Sequence, residues 1–234
     1  MKRGKFTSKD ETGKFIVIEG VDGCGKTTQF DLLQKRLKAS GMKVEIADFP
    51  RYYDSVWGKM VGNFLKGEYG NFDKTSPYLV VLQYMLDEYT WSRDIGRILI
   101  DNGKMILSNR YFTSNSHQIA KLKGKEKEKY RKWVWSTGYD ELGIMKPDLV
   151  LFLDVKPQIA FNLNKGKKDR KYLDGKSEDE AEKRLYHQKA AYKEYLQSAK
   201  DFKYWKVVKC MHKNKIDSPE VIHNRIWGIV SKLI

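Results

Sequence analysis

Cysteine and proline are scarce, at two and five of 234 residues. Two cysteines, Cys24 and Cys210, cannot complete a four-cysteine metal site or a disulfide framework, and they read as free thiols. No apolar run approaches the ~20 residues that a membrane span requires, so no membrane association is expected. Residues 1–14 carry no apolar core of the kind a secretory signal needs, and the expected compartment is the cytoplasm. Neither an internal repeat nor a low-complexity block stands out. What remains is 41% hydrophobic and 13% aromatic, too apolar for disorder. The length suits one globular domain at 15–234 behind a polar tail at 1–14.

Acids are in deficit as well. Asp+Glu number 30 against 45 Lys+Arg, a net charge of +15. A basic surface attracts nucleic acid, anionic lipid or phosphorylated small molecules. The densest basic stretch, KLKGKEKEKYRK at 121–132, is interleaved with acids and holds one aromatic. That pattern reads as a solvated helix face, and nucleic acid is not the expected partner.

Hydrophobic patterning divides the chain into alternating elements. Short apolar runs at 15–19 (FIVIE), 44–47 (VEIA), 104–108 (KMILS), 148–154 (DLVLFLD) and 206–209 (KVVK) read as strands. A helix is predicted over 26–39, with Phe30, Leu33 and Leu37 on one face and Gly41 closing it. Further helices are predicted over 55–66, 77–100, 178–199 and 218–233. Strands alternating with helices predict an α/β fold, a five-stranded parallel sheet flanked by helices. Ligands of such sheets bind beyond the carboxyl ends of the strands.

The first strand is followed at 20–27 by GVDGCGKT, which fits G-x-x-x-x-G-K-[ST] and opens a helix. Along Gly20, Val21, Gly23, Cys24 and Gly25 the backbone N–H groups can converge on phosphate oxygens, because glycine removes Cβ clashes. The helix N-terminus near Lys26 adds the positive end of its dipole. Lys26 neutralises β- and γ-phosphate charge, the Thr27 hydroxyl is a magnesium ligand, and Thr28 completes the phosphate-binding segment. The motif implies a nucleoside triphosphate. The short chain favours a small-molecule kinase over an ATPase or GTPase.

Around this loop, and over most of its length, the chain resembles the thymidylate kinase family. The resemblance is carried by IEGVDGCGKTTQ at 18–29, FPR at 49–51, and Asp87 in the long helix. Arg110 and Tyr111 follow, then Thr113, Ser114, Asn115, His117 and Gln118, with Pro147, Asp148, Leu153 and Asp154 around the fourth strand. The first stretch is the most specific, since few phosphate-loop families place an acid at Asp22 and follow the lysine with Thr-Thr-Gln. The resemblance implies a P-loop nucleoside monophosphate kinase fold with a short lid. It also implies phosphorylation of dTMP by ATP with Mg2+, and a homodimer. It makes Asp22 a ligand of the acceptor's 3′-hydroxyl, Arg51 and Arg110 ligands of the acceptor phosphate, and Phe49 a wall of the acceptor pocket. Tyr84 becomes a ring stacked on thymine, and Ser114 and Gln118 face the base from one helical turn. Plainer readings stand beside these: an Asx turn for Asp22, a surface loop for Arg51 and a core ring for Phe49. For Tyr84 the plainer reading is a core stripe shared with Asp87, Glu88 and Trp91. The lid is placed at about 164–178, where Lys165, Lys167, Lys168, Arg170 and Lys171 cluster. Gly23 and Cys24 are uncharged, so the resemblance assigns the catalytic cation to the lid, with Arg170 as the choice beside Lys26 and Arg110.

Two positions break the family's pattern. Asn109 stands where the family has aspartate before Arg-Tyr; it is read as a metal ligand beside Thr27 that keeps the oxygen and loses the charge. Glu88 stands where the family has an arginine near the acceptor phosphate, and Arg93 or Arg51 is expected to compensate. The breaks leave a shifted substrate, nucleotide or nucleoside, a slow enzyme, or a nucleotide-binding relative without transfer as alternatives.

Overall fold

The five apolar runs become the strands of one sheet. The structure is a computed structural model that describes residues 13–70, 74–165 and 178–234. The strands are β1 (Lys14–Glu19), β2 (Val44–Asp48), β3 (Met105–Asn109), β4 (Leu149–Asp154) and β5 (Trp205–Lys209). They lie in the order β2-β3-β1-β4-β5 with every pairing parallel. A short antiparallel hairpin of β6 (Met211–His212) and β7 (Lys215–Ile216) follows the last strand. The helices are α1 (Lys26–Ala39), α2 (Val56–Leu65), α3 (Pro77–Trp91), α4 (Arg97–Asp101), α5 (Lys125–Trp135), α6 (Pro157–Lys165), α7 (Glu178–Asp201) and α8 (Pro219–Val230).

Successive residues of a strand face opposite ways, and here both faces are covered. Phe15 and Val17 of β1 enter one core with Ile106, Val150 and Phe152; Val81, Met85 and Trp91 of α3, Tyr130 of α5 and Tyr195 of α7 close it. Ile16 and Ile18 enter the other with Leu107, Leu151 and Leu153, under Leu33 and Leu37 of α1 and Ile222 and Ile226 of α8. Burial on both sides is why the inner strands β1, β3 and β4 read as unbroken apolar runs, whereas the edge strands β2 and β5 expose Ile46 and Val207.

Two segments depart from the sequence reading. The helix predicted over 77–100 is interrupted by a π turn, Ser92–Gly96, before α4 resumes it. There the Ser92 hydroxyl accepts the Met145 N–H at 2.8 Å, and a Cβ on Gly96 would lie 2.8 Å from the Trp91 ring. The segment after β3 is a 3-10 helix, Phe112–Lys121. At three residues per turn, Ser114 and Gln118 do not share a face, which corrects the one-turn reading. Of the lid placed at about 164–178, residues 166–177, Arg170 included, lie outside the described residues, as do residues 1–12 of the tail placed at 1–14.

Candidate active site

The strands β1 to β4 end at one edge in Glu19, Asp48, Asn109 and Asp154. The chain reverses its direction of travel across the sheet at β1, whose neighbours are β3 and β4. The loop at 20–25 leaves the sheet at that switch point, where open parallel sheets place their ligands. Its first residue must be glycine: φ is +154°, and a Cβ on Gly20 would meet Cys24 Sγ at 2.6 Å. Cys24 is buried, with its thiol pushed up by burial. Lys26 folds back so that Nζ donates to the carbonyls of Gly20 at 2.9 Å and Val21 at 3.0 Å. Burial, and then the Arg110 charge, pulls its pKa below the ordinary lysine range. Thr27 and Thr28 are exposed on the first turn of α1.

Asp22 does not compete with this loop for phosphate. Its Oδ1 accepts from Arg110 Nη2 at 2.6 Å. Gln188 of α7 grips it twice, taking the backbone N–H at 2.9 Å and donating to Oδ2 at 3.1 Å. Arg110 stands just past β3 at φ 62°, a left-handed conformation uncommon for a residue with a side chain. Its Nη1 donates to Tyr195 at 3.1 Å and lies 3.7 Å from Glu19. Glu19 is 0% exposed. Its carboxylate accepts from Thr113 at 2.5 Å, from Ser114 at 2.8 Å and from Tyr195 at 2.8 Å. Ser114 therefore serves the buried acid. Tyr192, one turn before Tyr195, donates to Asp154 at 2.6 Å. Gln188, Tyr192 and Tyr195 share one face of α7 and stitch it across the strand ends.

A second knot fixes Arg51. Asp87 of α3, fully buried, accepts from the Arg51 backbone N–H and from its Nε, both at 2.9 Å. Ser55 also donates to Asp87, and its hydroxyl accepts the Gly58 N–H at 2.8 Å as the cap of α2. Gly58 lies so close that an added Cβ would stand 2.0 Å from the Arg51 carbonyl oxygen. Gly58→Ala is expected to cost about 1–3 kcal/mol by overpacking. It should also displace Arg51, raising KM for the acceptor more than it lowers kcat. Denaturant titration and steady-state kinetics check both parts.

Glu88 is turned inward, 2% exposed, and its Oε2 accepts from Asn115 Nδ2 at 2.6 Å. Burial, and then the neighbouring Asp87, push it well above the usual carboxylate range. The residue that breaks the family's pattern is thus turned into the interior, away from solvent. The expected compensation by Arg93 is not seen: its side chain is exposed and paired with Asp94. A raised folded pKa has a definite sign. The unfolded chain releases this proton near the ordinary value of 4.5, whereas the fold retains it. Stability therefore falls as pH rises from that value toward the folded pKa, by at most about 1.4 kcal/mol per pH unit. Glu88→Gln, uncharged throughout, is expected to gain stability relative to the wild type across that window, as denaturant titrations at a series of pH values would read.

Of the other expected positions, Phe49 is a core ring, edge-on to Trp91 and Tyr111, with the Arg51 guanidinium 6.0 Å from its centroid. Tyr84 is half-buried on α3, and burial, then Tyr52 and Glu88, push its phenol up. Gln118 is 8% exposed, and its Oε1 is buried with no partner. Asn109 lies beside Asp48. Sequence reasoning did not single out Glu19 as a site residue, nor Gln188 and Tyr195. The one available signal was an acid closing a doubly buried strand, which must find donors.

The family model for thymidylate kinase matches residues 18–225. Thymidylate kinase of Mycobacterium tuberculosis is 31% identical over 156 residues, covering 66% of this chain and 72% of that protein. The probable thymidylate kinase of Thermococcus kodakarensis is 27% identical over 225 residues, covering 94% and 98%. That of Schizosaccharomyces pombe is 31% identical over 159 residues, covering 65% and 66%. The matched span runs from the end of β1 into α8, so it takes in the phosphate loop, both arginine knots and the stitched face of α7: the chain belongs to the thymidylate kinase family.

Proposed function

We propose that the protein transfers the γ-phosphoryl group of ATP to the phosphate of dTMP, giving ADP and dTDP. The observation that carries the reading is the tie between phosphate loop and acceptor side, made where Asp22 inside the loop meets Arg110 after β3 at 2.6 Å. An oxygen of the acceptor phosphate attacks the γ-phosphorus and the bond to the β,γ-bridging oxygen breaks, with no covalent enzyme intermediate. The protein's part is alignment and charge. Loop amides and Lys26 hold the donor phosphates; Arg110 and Arg51, already oriented by Asp22 and Asp87, hold the acceptor phosphate. Tyr84 stacks on the base. A lid cation, Arg170, completes the charge at closure.

Mg2+ belongs to this reading. The residues present fit it: the Thr27 hydroxyl is exposed on the first turn of α1, and Asn109 Oδ1 is buried without a partner. Thr27 and Asn109 would hold the ion, which neutralises β- and γ-phosphate charge when bound. A homodimer and a cytoplasmic location complete the proposal. Val56, Leu65 and Leu79, exposed on α2 and α3, support self-association. Among the described residues no helix is long and apolar enough to cross a membrane.

Coupled ADP release with dTMP, dUMP, dCMP and thymidine tests the assignment. The fastest turnover is expected with dTMP. Turnover of thymidine without dTMP would move the protein to the nucleoside kinases.

A further inference from the structure

Asp48 and Asn109 are register partners at the carboxyl ends of adjacent strands β2 and β3. Asn109 Nδ2 donates to Asp48 Oδ1 at 2.9 Å. A carboxylate only accepts, so the amide must offer it the nitrogen. The amide oxygen then points to the other side, where Asn109 Oδ1 is buried and receives no hydrogen bond. An orphaned buried oxygen is costly, and a native fold that keeps one calls for an explanation. The surroundings supply it. Asn109 is also the register partner of Ile18 on β1, and the next N–H, that of Arg110, donates to the Ile18 carbonyl at 3.1 Å. The phosphate loop leaves β1 two residues after Ile18, so the pair stands at the sheet edge where the loop's ligand would lie.

We propose that Asp48 and Asn109 act as one divided ligand for the divalent cation that accompanies the nucleotide, Asn109 Oδ1 supplying the oxygen and Asp48 the negative charge. The assignment rests on reading 20–27 as a nucleotide site. Mg2+ gives up its water reluctantly, and residues around such an ion commonly act through its hydration shell. The amide alone would be a weak ligand for a hard cation. A carboxylate hydrogen-bonded to it polarises the amide and restores the charge one strand away. Asp48, which the sequence reading did not consider, becomes a metal-site residue.

The test uses the full chain with Asp48→Asn and with the exchange Asp48→Asn/Asn109→Asp. Asp48→Asn keeps an acceptor for the Asn109 amide and removes only the charge, so a merely structural role predicts unchanged metal affinity. Each protein receives two titrations: ADP in EDTA by calorimetry, which reads the loop, and Mn2+ into the ADP complex, with free Mn2+ followed by electron paramagnetic resonance. ADP affinity in EDTA is expected within twofold of wild type throughout. Mn2+ affinity is expected to fall about tenfold in Asp48→Asn and to return close to wild type in the exchange. Because Asp48 is on the surface, Asp48→Ala serves as a second folded variant with the same expected loss. Unchanged Mn2+ affinity in Asp48→Asn and Asp48→Ala overturns the proposal, as does an exchange no better than the single variant. A wild-type protein that fails to take up ADP in the first titration overturns the nucleotide reading, and this assignment with it.

Discussion

Glu19→Ala is expected to lower stability by about 3–5 kcal/mol, the range for removing one partner from a buried charged cluster. Glu19 is 0% exposed and takes hydrogen bonds from Thr113, Ser114 and Tyr195. Its removal strands those hydroxyls and leaves Arg110 with one fewer counter-charge. Against a typical total of about 5–15 kcal/mol, that is a fifth of the stability or more. At roughly 2–4 °C per kcal/mol for a domain of this size, the midpoint should drop by roughly 6–20 °C. Glu19→Gln, which keeps the shape and one acceptor oxygen, should lose clearly less. Chemical denaturation with an unchanged m value reads both. A loss below about 1 kcal/mol in the alanine variant would mean that hydroxyls and guanidinium find other partners, and the cluster would no longer account for the placement of Arg110.

The second large effect is kinetic. Arg110→Met should reduce kcat/KM roughly 100- to 1,000-fold, the scale of losing one oriented donor to a developing charge. The guanidinium answers Asp22, Tyr195 and Glu19 at once through a planar fork. Arg110→Lys has a single point of charge and cannot reproduce that fan, so it should recover little. Most of the loss should appear in kcat if the side chain stabilises the transferring group, and in KM if it only anchors the acceptor. Asp22→Asn should resemble a milder version, because Gln188 still grips the residue from the other side.

The phosphate loop was legible from sequence because its logic is local. Glycines, lysine and threonine occupy consecutive positions after an apolar strand, and nothing distant is needed to interpret them. The sheet was legible for a related reason: strands buried on both faces cannot hide their composition. Gln188 was not. It meets Asp22 across 166 residues of chain, from a helix whose composition advertises only solvation. The π turn at Ser92–Gly96 was hidden because its neighbours, Met145 and the Trp91 ring, lie in another loop and on the inner side of the helix. Asp48 gained meaning only with the strand order, since its pairing with Asn109 requires β2 and β3 to be neighbours. Glu88 shows the opposite failure. Its charge, alarming as a letter in the chain, is disfavoured once the side chain is buried beside Asp87.

The division of the interior into unlike halves has an optical consequence. Trp91 and Trp205, with Trp133 and Trp135 at the margin, all belong to the layer between the sheet and α3, α5 and α7. The opposite layer, beneath α1 and α8, has Trp227 alone at its border. Intrinsic emission will therefore follow mainly the melting of one side, while fraying of the other is reported by Trp227, on whose ring the Arg36 guanidinium of α1 sits at 4.2 Å, and is better followed by amide exchange.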